Sequence, residues 1–297
     1  MNSSAPTSTH NTAADAAKPQ KSFGGRWALA IVVLTLAFVI MPFLFWNATW
    51  FGRPITDAQI SKALADRSHP REIQHVLSQF EARIERNDPT VRKWYPQIVA
   101  LARDPVEEIR VTDAWVMGQD NTAQEFHQAL LPMLNDPNPM VQRNAALSLV
   151  RFQDDSGHAQ IVSMLQPDMM PAPQAGILST RLKPGDTVNP GTLVAHIESA
   201  GNGGAAGKSN EVRANAPGTV DHWLVKDGTT VSAGQPILIL APNESMAWEA
   251  LRALYLTGRP EDLPYVNQFT RGVDGMSPQL ALQAQATAKA IHDRANP

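Results

Sequence analysis

Few residues in this chain have side chains that could make or break bonds, and their spacing limits what they could do. There is no cysteine, which removes thiolate nucleophiles, disulfides, Fe–S clusters and Cys-based zinc motifs together. The eight histidines stand at 10, 69, 75, 127, 158, 196, 222 and 292. They show no H-x-x-x-H or other metal-ligand spacing, and His196 and His222 read as strand residues. Met169-Met170 is a soft pair that could attract Cu(I), yet two adjacent methionines in a linker are a weak basis for a site. Gly207-Lys208-Ser209 ends as a phosphate loop does. The first glycine of G-x-x-x-x-G-K-[ST] would fall on Asn202, however, and the surroundings read as a hairpin tip rather than a strand-to-helix turn, so nucleotide binding is not expected. No catalytic or metal-ligating residue is assigned. Lys208 is the single lysine of the glycine-rich segment 198–211.

The elements that must position these residues follow from composition and pattern. The 297 residues are 43% apolar, and 25 Lys+Arg stand against 28 Asp+Glu. That is ample for a buried core and leaves no chain-wide basic field, so no nucleic-acid partner is expected. Residues 1–22 carry no large apolar side chain after Met1 and read as a disordered tail. Trp27 to Trp46 then runs 20 residues without a charge. That length matches a hydrocarbon core of about 30 Å, so a transmembrane anchor is expected over 23–50. Lys18, Lys21 and Arg26 precede the span and only Arg53 follows closely, which predicts a cytoplasmic N-terminus and a periplasmic bulk, a single-pass inner-membrane protein.

From Thr56 to Gln166 apolar residues recur at helical spacing, predicting helices at 57–66, 70–86, 89–102, 105–118, 122–134, 137–152 and 156–166. A 32-residue period relates Asp104-Pro105 through Arg110 to Asp136-Pro137 through Gln142. At the same offset Ala114 falls on Ala146 and Met117 on Leu149. Asp before Pro reads as an N-cap followed by a favourable first helical residue, and the paired alanines allow close helix approach. These residues resemble HEAT-type repeats, whose first helix often reads D-P-x-x-x-V-R-x-x-A-A-x-x-L. Asp136-Pro137, Val141, Ala145, Ala146 and Leu149 fit, and the earlier copy fits with Asp113 in place of one alanine. The resemblance implies a protein-interaction scaffold over residues 55–166.

After a linker at 167–173 the pattern turns to short strands. Gly185/Val188/Gly191 and Gly228/Val231/Gly234 repeat G-x-x-V-x-x-G, with glycines suited to turns and valines suited to a core between them. Together with Glu211-Val212-Arg213-Ala214 and Pro217-Gly218-Thr219-Val220, the two halves resemble the biotinyl/lipoyl domain, a flattened β sandwich of two quasi-symmetric halves, over 174–241. In the carriers of that family a lysine at the hairpin joining the halves holds biotin or lipoate, usually in M-K-M or D-K-A; the residue at that place here is Lys208, in G-K-S. The module is also similar to that of membrane fusion proteins of the hemolysin-secretion (HlyD) type, through Ile197-Glu198-Ser199 and Val212-Arg213-Ala214, although the long α-hairpin of those adaptors is absent. Beyond Pro242 helices resume, at 246–258, 261–269 and 277–291, the last with Ser277 as N-cap and Pro278 following. These also resemble HEAT-type helices and make 243–297 a continuation of the first helical run.

The expected class is therefore α+β multidomain: an N-terminal transmembrane helix, an α-helical HEAT-like solenoid and an inserted all-β lipoyl-like domain, a barrel-sandwich hybrid. The expected function is a non-catalytic, membrane-anchored adaptor of the cell envelope without a cofactor, binding protein partners such as an inner-membrane transporter. The alternative is a biotin or lipoyl carrier modified at Lys208.

Overall fold

Prolines open three of the helical segments in the first half of the chain, where a missing N–H leaves no bond unmade. In a computed structural model of the protein, residues 25–48, 55–199 and 209–296 are described, in two units, Met1–Pro54 and Ile55–Pro297. The expected tail at 1–22 lies outside the described residues.

The first unit contains helix α1 (Gly25–Ala48). Its described side chains, residues 29–42 and Leu44, are exposed. Among the described residues no helix is long and apolar enough to cross a membrane. This corrects the expected anchor over 23–50, the transmembrane element of the fold class and the single-pass inner-membrane placement. The observed fold is mostly helical with a small β-sandwich region.

In the second unit, α2 (Asp57–Ala65), α3 (Pro70–Glu85), a 3-10 turn at Pro89–Trp94 leading into α4 (Tyr95–Leu101), α5 (Glu107–Met117), α6 (Gln124–Met133), α7 (Pro139–Arg151) and α8 (His158–Ser163) precede the strands. After the strands come α9 (Glu244–Thr257), α10 (Leu263–Asn267) and α11 (Pro278–Ala295). Helix α3 packs on α5, α5 on α7, α7 on α9 and α9 on α11. Both helical runs share one hydrophobic core, from Ile60 to Ile291. His158 Nε2 meets Asp262 Oδ1 at 3.0 Å and Gln268 Nε2 donates to the Leu165 carbonyl at 2.6 Å, so residues a hundred positions apart are joined. Small residues set the spacing. Ala114 and Ala146 are fully buried, and a Cβ added at Gly118 would stand 2.3 Å from Ser148 Oγ.

The caps differ from the reading of the sequence. Asp104 and Asp136 stand ahead of their helices, each accepting the N–H two residues on, at 2.9 and 2.8 Å. The N-cap of α7 is Asn138, whose side chain accepts the Met140 N–H. With a short turn already satisfied, each aspartate keeps an oxygen for a distant arginine, Arg67 for Asp104 and Arg110 for Asp136. Ser277 likewise makes no cap bond to α11; its hydroxyl donates to Glu244 Oε1 at the start of α9.

Asp113 stands where the next repeat has the buried Ala145, and its side chain is fully buried. Among the described residues neither carboxyl oxygen has a hydrogen-bond partner. Burial pushes its carboxyl well up, the Asp104 carboxylate adds to this and Arg67 opposes it. An unsatisfied buried polar group costs about 1–3 kcal/mol. Asp113→Ala is therefore expected to raise the melting temperature by roughly 3–10 °C. Where the folded chain keeps a proton that the unfolded chain has released, stability falls with rising pH. That window runs from the ordinary carboxylate range up to the raised folded value, and across it the variant should lose less stability. Thermal melts of both proteins from mildly acidic to neutral pH check both effects.

Among the described residues the β region has eight strands: β1 (Asp168–Pro171), β2 (Gly176–Thr180), β3 (Thr187–Val188), β4 (Leu193–Glu198), β5 (Ser209–Arg213), β6 (Gly218–Trp223), β7 (Thr230–Val231) and β8 (Pro236–Ala241). They form two four-stranded sheets, β1-β8-β6-β3 and β5-β4-β2-β7. The halves interlock, because short β3 joins the second half's strands and short β7 joins the first's. The four motif glycines have φ between 75° and 91°, a region where a side chain is strained. Val188 and Val231 are buried in a core of the module's own. The expected linker at 167–173 is corrected: β1 occupies it and pairs antiparallel with β8.

Candidate functional site

The strand ladder that joins the two halves ends at Glu198 opposite Ser209, with Ile197 opposite Asn210 and His196 opposite Glu211. Along β4 Val194, Ala195 and Ile197 are buried, with a register shift between Leu193 and Ala195, while Glu198 is exposed and Ser209 is exposed across from it. The chain therefore leaves the sheet at the surface. Lys208, immediately before Ser209, lies outside the described residues.

Three contacts hold this end of the ladder. Gln174 Nε2 donates to the Ile197 carbonyl at 3.2 Å, and Asn210 Nδ2 donates to Gln174 Oε1. Gly176 brings β2 so close that a Cβ there would lie 2.4 Å from the Glu198 carbonyl oxygen. On the outer face, Arg181 Nη2 stands 3.1 Å from His196 Nε2, and His196 Nδ1 stands 3.4 Å from Ser209 Oγ. A guanidinium only donates. His196 Nε2 therefore accepts, leaving Nδ1 to carry the ring proton toward Ser209. Arg213 pairs with Glu211 on the same strand. No expectation from the sequence singled out Gln174 or Arg181, and Ser209 was weighed only as the end of a phosphate-loop motif; their convergence depends on the β2–β4–β5 register.

The other positions weighed from the sequence fall apart. His222 is exposed beside Asp221. Met169 is exposed and Met170 buried, because neighbours on a strand point to opposite faces, so the pair cannot close on one ion. Among the described residues no group of three or more His, Asp or Glu could hold a metal. The module's other lysines, Lys183 and Lys226, are exposed in the turns after β2 and β6. Concavities among the described residues of the helical body include one of about 510 Å³ between α4 and α6 and one of about 370 Å³ lined in part by Trp115, Arg151, Arg252, Tyr255 and Leu256.

Comparison with known proteins addresses the module directly. Residues 163–240 match the biotin/lipoyl family model, described as biotin-requiring enzyme. These residues are a biotin/lipoyl-type domain. Its match begins eleven positions before the expected 174, as it must if β1 belongs to it. Residues 128–156 match the HEAT repeat model, on the second copy of the 32-residue period. Kinship with membrane fusion proteins is not shown by these matches. No curated protein matches the chain. A solved structure titled "Structure and function of a single-chain, multi-domain long-chain acyl-coa carboxylase" is similar at 15% identity over 52% of this chain, with a TM-score of 0.23. This chain spans 16% of that one.

Proposed function

We propose that the chain is a carrier protein whose biotin/lipoyl-type domain holds biotin or lipoate on Lys208, while the HEAT-like helices bind the proteins it serves. The observation that supports this reading is the family match over 163–240, in which the two interlocked halves are joined by a connection with Lys208 at its end. The fit of such a group rests on the exposed Glu198–Ser209 end of the ladder, which an attaching enzyme can approach. Held by an amide to a lysine amine, biotin carries a carboxyl group and lipoate an acyl group. The chain's own part is to present the connection on a rigid sheet and to bind partners; it performs no bond chemistry itself.

Intact-mass measurement of the full chain, produced with biotin and lipoate ligases and their cofactors, tests the proposal. One biotinyl or lipoyl increment is expected, absent in Lys208→Ala and retained when Lys183 and Lys226 are replaced. An unmodified mass overturns the reading.

A second reading is favoured by the register. The last described pair of the ladder is Glu198 with Ser209, and the glycine-rich sequence between them is longer than the carrier pattern. In this reading the domain and the helical concavities serve only to bind proteins. Crosslinking that recovers a partner of the unmodified chain supports it.

A further inference from the structure

The two sheets end on β1, β3, β5 and β7. An edge strand offers backbone N–H and C=O groups to any chain that can pair with it, and shortness or proline blunts that offer. Strand β1 runs from just after Pro167 to Pro171, and β3 and β7 have two residues each. Strand β5 has five residues and no proline. Among the described strands it pairs with β4 alone.

Alternation locates the outward groups of β5. The Ala214 N–H donates to the Thr192 carbonyl at 2.9 Å, and the Ala214 carbonyl accepts the Gly191 N–H at 2.7 Å. Ala214 therefore turns its backbone groups toward the first half, and in an antiparallel ladder every second residue does so. Val212 and Asn210 follow, opposite Ala195 and Ile197. Glu211 and Arg213 turn their N–H and C=O groups the other way, off the edge of the sheet. Their side chains are exposed, while Val212 between them is buried.

The charges on this edge narrow the choice of partner. Arg213 donates through Nε and Nη2 to Glu211 Oε2, at 2.9 and 2.6 Å, and through Nη1 to the Gly191 carbonyl at 2.6 Å. The two opposite charges are thus held on one face, one residue to either side of Val212. A strand with opposite charges placed symmetrically about one residue is complementary to its own antiparallel copy.

We propose that β5 pairs antiparallel with β5 of a second copy of this chain, with the twofold axis at Val212. Glu211 then lies opposite the partner's Arg213, and Arg213 opposite the partner's Glu211. The outward backbone groups of these residues exchange hydrogen bonds, and their four side chains form a ring of alternating charge on the exposed face. The four-stranded sheet β5-β4-β2-β7 continues across the axis into its copy. The pairing does not depend on any group on Lys208.

Sedimentation velocity of the full chain over a concentration series tests this, and a dimer fraction that rises with concentration is expected. Arg213→Glu makes both charged positions of the strand negative and Glu211→Arg makes both positive, so each variant alone meets like charge at both crossings. Each should weaken self-association about tenfold or more. The two variants mixed in equal amounts should pair with each other, because every crossing again joins opposite charges. Glu211→Pro removes one outward N–H, a change an edge strand tolerates. It should leave the melting temperature unchanged and abolish the dimer, and it provides the test if the charge variants do not fold. A natural chain that stays monomeric, an association indifferent to the charge variants, a mixture that fails to pair, or a dimer that survives Glu211→Pro overturns the proposal.

Discussion

Arg110→Ala is expected to lower stability by about 3–5 kcal/mol at neutral pH, because removing one member of a buried ion pair leaves the other without compensation. The side chains of Arg110 and Asp136 are 11% and 9% exposed, so little water reaches the two hydrogen bonds of the intact pair. Desolvation pushes the Asp136 carboxyl up, but the hydrogen bonds from Arg110 and the Asn138 N–H outweigh it and hold the group below its ordinary value. A carboxyl depressed on folding contributes stability above its unfolded pKa and loses that contribution as pH falls through its folded one. The natural chain and Arg110→Ala should therefore differ most at neutral pH and converge in acid. For a unit of this size the neutral-pH deficit corresponds to a drop of roughly 6–20 °C in melting temperature. A constant difference down to pH 2 would mean that Arg110 acts through packing of its stem rather than through Asp136.

Val188→Asp is expected to unfold the biotin/lipoyl-type domain while leaving the helical body folded. Val188 is fully buried opposite Gly218, and a carboxyl placed there loses the valine's burial and finds no partner, a cost of roughly 4 kcal/mol or more. A module of about 70 residues has little stability to spare. Its core shares no residue with the helical core, and the helices after the strands stay tied to those before them through α7 and α8 against α9. Hydrogen exchange should show lost protection in strands β1 to β8 and retained protection in α5, α7, α9 and α11. Simultaneous loss in the helices would show that the two cores fold as one.

The parts legible in the sequence are those whose cause is local. A glycine at a positive-φ turn and a valine three residues on specify a turn and an inward side chain within one short segment, so both half-motifs could be recognised from sequence. Helix segments followed from apolar periodicity and from prolines, and the second copy of the repeat is the stretch that matches the HEAT model. Where a residue's role depends on a distant partner, the sequence misled or was silent. Asp104 and Asp136 looked like caps because the arginines that claim them lie 37 and 26 positions away. Ser277 looked like a cap because Glu244 was not in view. Asp168–Pro171, flanked by prolines and four residues long, looked like a linker because only β8, some seventy residues on, makes it a strand.

By itself the sequence determined most of the helical segments, the quasi-symmetric β module and the choice of Lys208 as the one lysine between its halves, since each follows from local backbone preference and side-chain period. The tertiary structure decided which residues meet. It set the register that places Glu198 opposite Ser209, the pairing of Arg110 with Asp136, and the burial of Asp113 without a hydrogen-bond partner among the described residues. Register and pairing depend on how separate elements pack, and no single segment of the chain encodes that.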